Sequence, residues 1–121
     1  MNDLGKKGEE LAAAYLEEKG YRVLAKNYRS QKAEIDLVCF DAADRYEDGG
    51  ELVFVEVKTR SSTSFGTPET AVNEAKQKNL IKAARFYLYE HKLEGALVRF
   101  DVLAISIVKF LPEYYHIENA F

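Results

Sequence analysis

Apolar positions along the chain follow two spacings, one typical of helices and one typical of strands. At residues 3–19 they recur every three or four positions, and Gly20 follows as a natural C-terminal stop, which predicts an amphipathic helix. Residues 33–40 and 51–59 are apolar runs rich in Val, Leu and Phe, which predicts strands. The full set of predicted elements is a helix at 3–19, strands at 21–28, 33–40 and 51–59, a helix at 68–90, a strand at 96–106 and a short strand within 110–121.

The second helix is predicted to begin at Pro68, because proline fits the first position of a helix and Thr67 can act as its N-cap. Its spacing predicts a core-facing side made of Ala71, Ala75, Ile81, Ala84 and Leu88.

The order of elements, α-β-β-β-α-β-β, predicts an α/β fold. Two strands joined as a hairpin and then a helix that crosses over to another strand give a mixed central β-sheet flanked by helices. A chain of 121 residues has the size of one ordinary domain, so we expect a single domain over residues 1–121.

Composition excludes several classes of protein. Apolar residues make up 47% of the chain, enough for one core, yet no apolar run approaches the roughly 20 residues of a membrane helix. The charged N-terminus lacks the apolar region of a signal peptide, and the single Cys39 cannot form an internal disulfide, so a cytoplasmic setting is expected. His91 and His116 are far apart, which argues against a Cys/His zinc site.

Charge is distributed unevenly along a chain whose net charge is −3. Residues 41–51 carry five acids and one arginine, whereas residues 52–85 carry six lysines and arginines against three acids. An acidic protein can still present one basic face to nucleic acid. Arg60, Lys76 and Lys78 are the predicted contacts, with an ordinary solvated surface as the alternative reading.

Charged residues also interrupt the two predicted hairpin strands, where burial makes them unusual. Glu56 and Lys58 are two positions apart and therefore share a face of the strand "LVFVEVK". Asp36 lies within "EIDLVCF", and pairing of the hairpin would bring it near Glu56. Two close carboxylates repel each other and favour a bound cation such as Mg²⁺ or Mn²⁺, for which the carbonyl of Val57 is a further ligand.

Lys58 would then lie beside a metal-bound water, where an ammonium can orient the water or stabilise charge on a phosphate. Glu9 or Glu10 of the first helix could add another carboxylate. The alternative reading is that "E-x-K" here is a chance pattern that forms an exposed cross-strand salt bridge. Arg99 and Asp101, which share a face of a later strand, are interpreted as a structural ion pair.

The chain resembles the restriction-endonuclease-like PD-(D/E)XK superfamily, whose D…(D/E)-x-K signature is matched by "AEIDLV" and "VFVEVKTR". Within it, the chain resembles the YraN family of uncharacterised bacterial proteins, which is similar to archaeal Holliday-junction resolvases. The segments that carry this resemblance are "GKKGEELAAAYLEEKGYRVLAKNYR", "EIDLV", "FVEVKTR", "FGTPETAV", "VRFDVLAI" and "IENAF". The resemblance implies a restriction-endonuclease-like sandwich and a catalytic group of Glu9, Asp36, Glu56 and Lys58. Glu9 is preferred to Glu10 because Gly8-Glu9 matches the family pattern.

These observations predict a divalent-metal-dependent endonuclease-like protein that hydrolyses phosphodiester bonds in DNA, with branched or damaged DNA as candidate substrates. The alternative is a nucleic-acid-binding protein of the same fold with little or no catalysis, or an adaptor for a protein partner. No membrane partner is expected, and a homodimer is left open.

Overall fold

The computed structural model describes residues 3–42, 49–60 and 72–121, which form two helices and one five-stranded sheet. Strand order in the sheet is β1-β2-β3-β4-β5, with β3 and β4 parallel and the other neighbours antiparallel. The predicted order of elements and the mixed sheet of an α/β fold are confirmed. The elements are α1 (Asp3–Glu18), β1 (Tyr21–Ser30), β2 (Ala33–Asp41), β3 (Glu51–Arg60), α2 (Glu74–Glu90), β4 (Val98–Val108) and β5 (Leu111–Ile117).

The core is divided by the sheet into two apolar clusters, one under each helix. Alternation along β3 assigns its side chains to the two faces, since Val53 and Val55 pack with α1 whereas Leu52 and Phe54 pack with α2. By the same alternation, Glu56 belongs to the face that α2 covers.

Helix α1 approaches β3 closely through a glycine. A Cβ atom built on Gly8 would overlap the side chain of Thr59, so no larger residue fits there without movement. This close contact fixes the position of the next residue, Glu9, beside the end of β3. After the helix, Gly20 has φ +97°, a conformation that favours glycine, and the predicted stop is confirmed.

The predicted start of the second helix is wrong. Helix α2 begins at Glu74, because Asn73 is extended (φ −81°, ψ 175°) and its side chain accepts a hydrogen bond from the backbone N–H of Lys76. The predicted cap Thr67 and the predicted first residue Pro68 lie outside the described residues.

The predicted core-facing side of this helix is correct in part. The buried residues are Leu80, Ala83, Ala84 and Tyr87, so Ala84 is confirmed, and the half-buried Leu88 packs against the same core cluster. Ala75 is exposed, Ile81 is half-buried, and Ala71 lies outside the described residues. The true apolar stripe includes Tyr87, whose ring packs edge-on against Phe54 of β3.

The alternation of side chains that is usual in a strand is broken at one point in β2. Ile35 packs with the α2 cluster and Leu37 with the α1 cluster, although alternation would put both on one face. On the partner strand the register runs from Lys26↔Leu37 to Tyr28↔Ile35, and the intervening Asn27 has φ 51°. The local irregularity turns the backbone at Asp36.

Within the described ranges, neither helix is long and apolar enough to cross a membrane.

Candidate active site

The candidate site lies where β2 and β3 stop pairing. The last pair between the two strands is Leu37↔Val55, and the next residues, Asp36 and Glu56, lie side by side just beyond it. The Asp36 carboxylate accepts a hydrogen bond from the backbone N–H of Val57 over 2.8 Å. A side chain thus satisfies a backbone donor that the sheet no longer pairs, and this holds the carboxylate at the opening between the strands.

Glu56 is the most buried charged side chain of the site, with 5% of its side chain exposed. Lys58 Nζ lies 3.3 Å from Glu56 Oε2, and Lys76 Nζ lies 3.5 Å from the same oxygen. The Lys58 side chain is 26% exposed and the Lys76 side chain is 42% exposed. The two lysines that contact the buried Glu56 carboxylate are therefore themselves partly accessible to solvent. We refer to Asp36, Glu56, Lys58 and Lys76 as the Asp36 cluster.

Protonation of Asp36 is strongly affected by this setting. Burial raises the pKa of Asp36 from 3.8 to about 7, helped by the nearby charge of Glu56 and, less strongly, of Glu9. The hydrogen bond from Val57 acts in the opposite direction, because it favours the charged carboxylate. Carboxyl groups whose pKa is raised by burial and a second carboxylate cluster at functional sites, which makes this cluster a candidate active site.

Glu9 approaches the cluster from the other side of the sheet. It lines a small cleft of about 160 Å³ between α1 and the end of β3, together with Val57, Lys58 and Thr59. The close contact at Gly8 holds Glu9 there, and its charge reaches Asp36. All four residues of the predicted catalytic group are therefore gathered at one end of β3.

The donor set of the cluster fits a small divalent cation. In a β-strand, the N–H and the C=O of one residue point toward the same neighbouring strand. The carbonyl of Val57 therefore points to the same side as its N–H, which donates to Asp36. Two carboxylates and one carbonyl suit Mg²⁺, which keeps several waters and binds few protein ligands. In the part of the chain that the structure describes, no three His, Cys, Asp or Glu side chains lie close enough to hold a metal by themselves.

The three predicted nucleic-acid contacts fall in different places. Arg60 is exposed at the last position of β3, and Lys78 is exposed on α2. Lys76 instead belongs to the Asp36 cluster through its ion pair with Glu56, which the sequence reasoning missed. The signal that could have found it is Asn73, whose capping side chain puts Lys76 in the first turn of the helix.

A second group of charged side chains is buried near the opposite end of β3, and we call it the Arg99 cluster. Asp101 is fully buried and accepts hydrogen bonds from Arg99 Nε at 2.9 Å, from Arg99 Nη2 at 3.0 Å and from the Asn119 N–H at 3.1 Å. His116 Nε2 lies 2.7 Å from the same carboxylate. The predicted ion pair of Arg99 and Asp101 is confirmed. The outer members of the cluster are Tyr21, Asp41, Glu51 and Glu118.

The sequence profile of "Uncharacterised protein family UPF0102" matches residues 8–105 of the chain. Similar proteins cover almost all of it. A UPF0102 protein of Persephonella marina is 43% identical over 117 residues, which is 97% of this chain and 91% of the relative. A UPF0102 protein of Syntrophomonas wolfei is 45% identical over 119 residues, covering 98% and 97% of the two chains.

The chain belongs to the UPF0102 family. This is the YraN family by its other name, so the family resemblance found in the sequence is confirmed. The UPF0102 profile spans Gly8, Asp36, Glu56 and Lys58 and ends within β4. The family description names no reaction, and the chemistry of the site therefore rests on its geometry.

Proposed function

We propose that this UPF0102 protein is a divalent-metal-dependent nuclease that hydrolyses phosphodiester bonds in DNA. The observation that carries the proposal is the Asp36 cluster, in which the buried Glu56 carboxylate and the half-buried Asp36 carboxylate, whose pKa is raised to about 7, lie beside two solvent-reaching lysines. Carboxylates that repel each other favour a cation between them, and ammonium groups favour a phosphate in front of them.

Asp36, Glu56 and the carbonyl of Val57 are the residues that would hold Mg²⁺ or Mn²⁺. When bound, such an ion polarises a phosphate oxygen and lowers the pKa of a coordinated water. Because Asp36 must be ionised to serve as a ligand, its raised pKa makes metal affinity dependent on pH up to about 7.

Lys58 is the residue placed to act on the reaction itself. Its ammonium group is held 3.3 Å from Glu56 and is only partly exposed, so its position is fixed before substrate arrives. Negative charge that develops on the phosphate is stabilised most by a cation that needs no reorganisation. Lys76 reaches the same oxygen of Glu56 from α2 and adds a second positive charge to the phosphate side.

The test is a cleavage assay on linear, nicked, flapped and four-way DNA with Mg²⁺ or Mn²⁺. Wild-type protein is expected to cut at least one structure, and Glu56→Gln is expected to leave it uncut. Glu34→Gln is the matched control, because Glu34 is a half-buried β2 carboxylate outside the Asp36 cluster that pairs with Arg29 at 2.8 Å. Metal-independent cutting, or equal cutting by Glu56→Gln, would contradict the proposal. DNA binding with no cutting of any substrate would favour the non-catalytic binder.

A further inference from the structure

The outer face of α2 carries a stripe of basic and aromatic side chains, Lys82, Arg85, Phe86 and Tyr89, which we call the α2 stripe. Residues three and four apart on a helix are neighbours, so these four form one continuous surface. They line a shallow depression, and the buried side of the helix faces the other way. Lys82 and Arg85 are exposed, Phe86 is half-buried and Tyr89 is 71% exposed.

The charge of this helix is opposite to that of the whole protein. Residues 75–89 hold four basic residues and no acid, while the chain has a net charge of −3. At the end of the helix, Glu90 accepts a hydrogen bond from Tyr28 and is thereby directed toward β1. At its beginning, Lys76 contacts Glu56 of the Asp36 cluster. Basic side chains of α2 therefore lie both beside the candidate active site, at the start of the helix, and on its outer face.

The chemistry of the α2 stripe matches an unpaired nucleic-acid strand. Lysine and arginine bind the phosphates, and exposed aromatic rings stack on bases whose faces are accessible. The base faces of a blunt duplex are covered by their neighbours, so a duplex can use the charges but not the rings. We propose that the α2 stripe binds a single-stranded segment that continues from the scissile phosphate. This inference rests on the proposed nuclease function and adds that the substrate contains unpaired nucleotides.

A second copy of the chain fits this surface less well. A symmetric dimer places the same patch of both copies face to face. Lys82 and Arg85 would then meet their own equivalents, and the described part of α2 offers no acid between Ala75 and Tyr89 to offset them. The same charges favour a polyanion.

The first test measures fluorescence anisotropy with a labelled duplex that carries a single-stranded tail and with the same duplex blunt-ended, both in EDTA so that no cleavage occurs. Tyr89→Ala is expected to weaken binding of the tailed DNA roughly tenfold and of the blunt DNA less than about twofold. Phe86→Leu keeps the half-buried position filled and should give a smaller loss in the same direction. Tyr115→Ala is the control, because Tyr115 is a comparably exposed tyrosine on β5, at the far edge of the sheet.

A second pair of variants separates charge from stacking. Lys82→Gln with Arg85→Gln should weaken binding of both DNAs and make it less dependent on salt. The matched control is the double variant Arg22→Gln/Lys26→Gln, which removes one exposed arginine and one exposed lysine from β1 and should weaken DNA binding less.

Equal binding of tailed DNA by wild type and Tyr89→Ala would overturn the α2 stripe proposal, as would an equal loss on blunt and tailed DNA. A change of oligomeric state in Tyr89→Ala, measured by sedimentation, would overturn it in favour of self-association. If the wild type also cuts DNA in the presence of Mg²⁺, the nuclease proposal stands in each of these cases. A wild type that binds none of the DNAs would overturn both proposals together.

Discussion

Two groups of carboxylates, each built around a buried acid, lie on the same sheet, and their surroundings differ. In the Arg99 cluster, Asp101 receives hydrogen bonds from a guanidinium, a backbone N–H and an imidazole, and it is fully buried. In the Asp36 cluster, the carboxylates of Asp36 and Glu56 lie against each other, and the lysines beside them reach solvent. The carboxylate at the centre of the first group is enclosed and held by donors, whereas the second group is open to solvent and its two carboxylates lie next to each other.

The two settings move the pKa values in opposite directions. Burial alone would raise the pKa of Asp101, but the hydrogen bonds from His116 and Arg99 hold it below its ordinary value. Burial raises the pKa of Asp36, and its neighbour Glu56 raises it further. Burial of an acid is therefore not by itself a sign of function. The combination typical of functional sites is an acid whose pKa is raised by desolvation together with a neighbouring carboxylate, as in Asp36.

The largest expected difference between the clusters is in stability. Asp101→Asn removes the charge that pairs with a buried guanidinium and should lower the free energy of unfolding by about 3–5 kcal/mol. Glu56→Gln relieves the repulsion of Asp36 and leaves two lysines that can reach water, so it should change that free energy by less than about 1 kcal/mol. Urea unfolding at pH 8 without metal measures both. Similar losses in the two variants would remove the distinction between the clusters.

Lys58→Met should reduce single-turnover cleavage by about 10²–10³-fold, the scale of losing one preorganised stabilising group. Binding of DNA and Mn²⁺ should largely persist, because Lys58 is neither a metal ligand nor the main phosphate contact. Lys78→Met is the control, since it removes the same charge from an exposed position outside the Asp36 cluster. Cleavage by Lys58→Met at the wild-type rate would assign Lys58 to a simple ion pair.

The pH dependence of stability should have opposite signs for the two acids. Since the pKa of Asp36 is raised to about 7, the native state binds this proton more tightly than the unfolded chain. The contribution of Asp36 to stability is therefore present below about pH 4 and is lost as the pH rises to about 7. Asp36→Asn keeps an oxygen for the Val57 N–H and lacks the charge, so it should be more stable than wild type by about 1–3 kcal/mol at pH 8.

This difference should shrink at pH 4.5, because Asp36 is then protonated in the native state and no longer carries the charge that Glu56 repels. The pKa of Asp101 is lowered, so Asp101→Asn should cost most at pH 8 and less as the medium becomes acidic. Urea unfolding at the two pH values, in EDTA, tests both signs. An Asp36→Asn variant that is less stable than wild type at pH 8 would contradict the repulsive account of the site.

The smallest expected effects concern single exposed charges. Arg60→Ala and Lys78→Ala should each weaken DNA binding by less than about 1 kcal/mol and make the salt dependence slightly less steep. Lys19→Ala should have no such effect, because Lys19 Nζ lies 2.7 Å from His116 beside the Arg99 cluster. Binding titrations at several salt concentrations distinguish these cases. If Lys19→Ala weakens DNA binding as much as the other two variants, the effect comes from the net charge of the protein and not from contacts of Arg60 and Lys78 with DNA.

Strand patterns predicted most of the fold, because alternation and length are local properties of the sequence. The hairpin of β2 and β3 and the convergence of Asp36 with Glu56 followed from them. The start of α2 was not predicted, because Pro68 and Thr67 form a plausible helix start and Asn73 a second one six residues later. Packing of the helix against the sheet decides which of the two caps is used, and local helix propensity carries no information about that packing.

The sequence predicted that Asp36 and Glu56 lie near each other, as they do in the structure, but it did not predict the ion pair of Lys76 with Glu56. Strand pairing fixes where Asp36 and Glu56 meet, since the register follows from the apolar alternation. Lys76 reaches Glu56 only because α2 begins at Glu74 and packs over β1 and β2. Its part in the Asp36 cluster is thus a tertiary property, as is the contact of Gly8 with Thr59 that holds Glu9 near the cleft.

The central claim is that Asp36 and Glu56 converge on one divalent cation, and titration calorimetry with Mn²⁺ tests it most directly. Wild type should bind one ion per chain, more tightly as the pH rises from 5 to about 7 and with release of protons, because Asp36 has to ionise. Asp36→Ala and Glu56→Ala should each remove this binding, whereas Glu34→Gln should retain it. Unchanged Mn²⁺ affinity in both alanine variants, or binding that does not depend on pH in this range, would contradict the account.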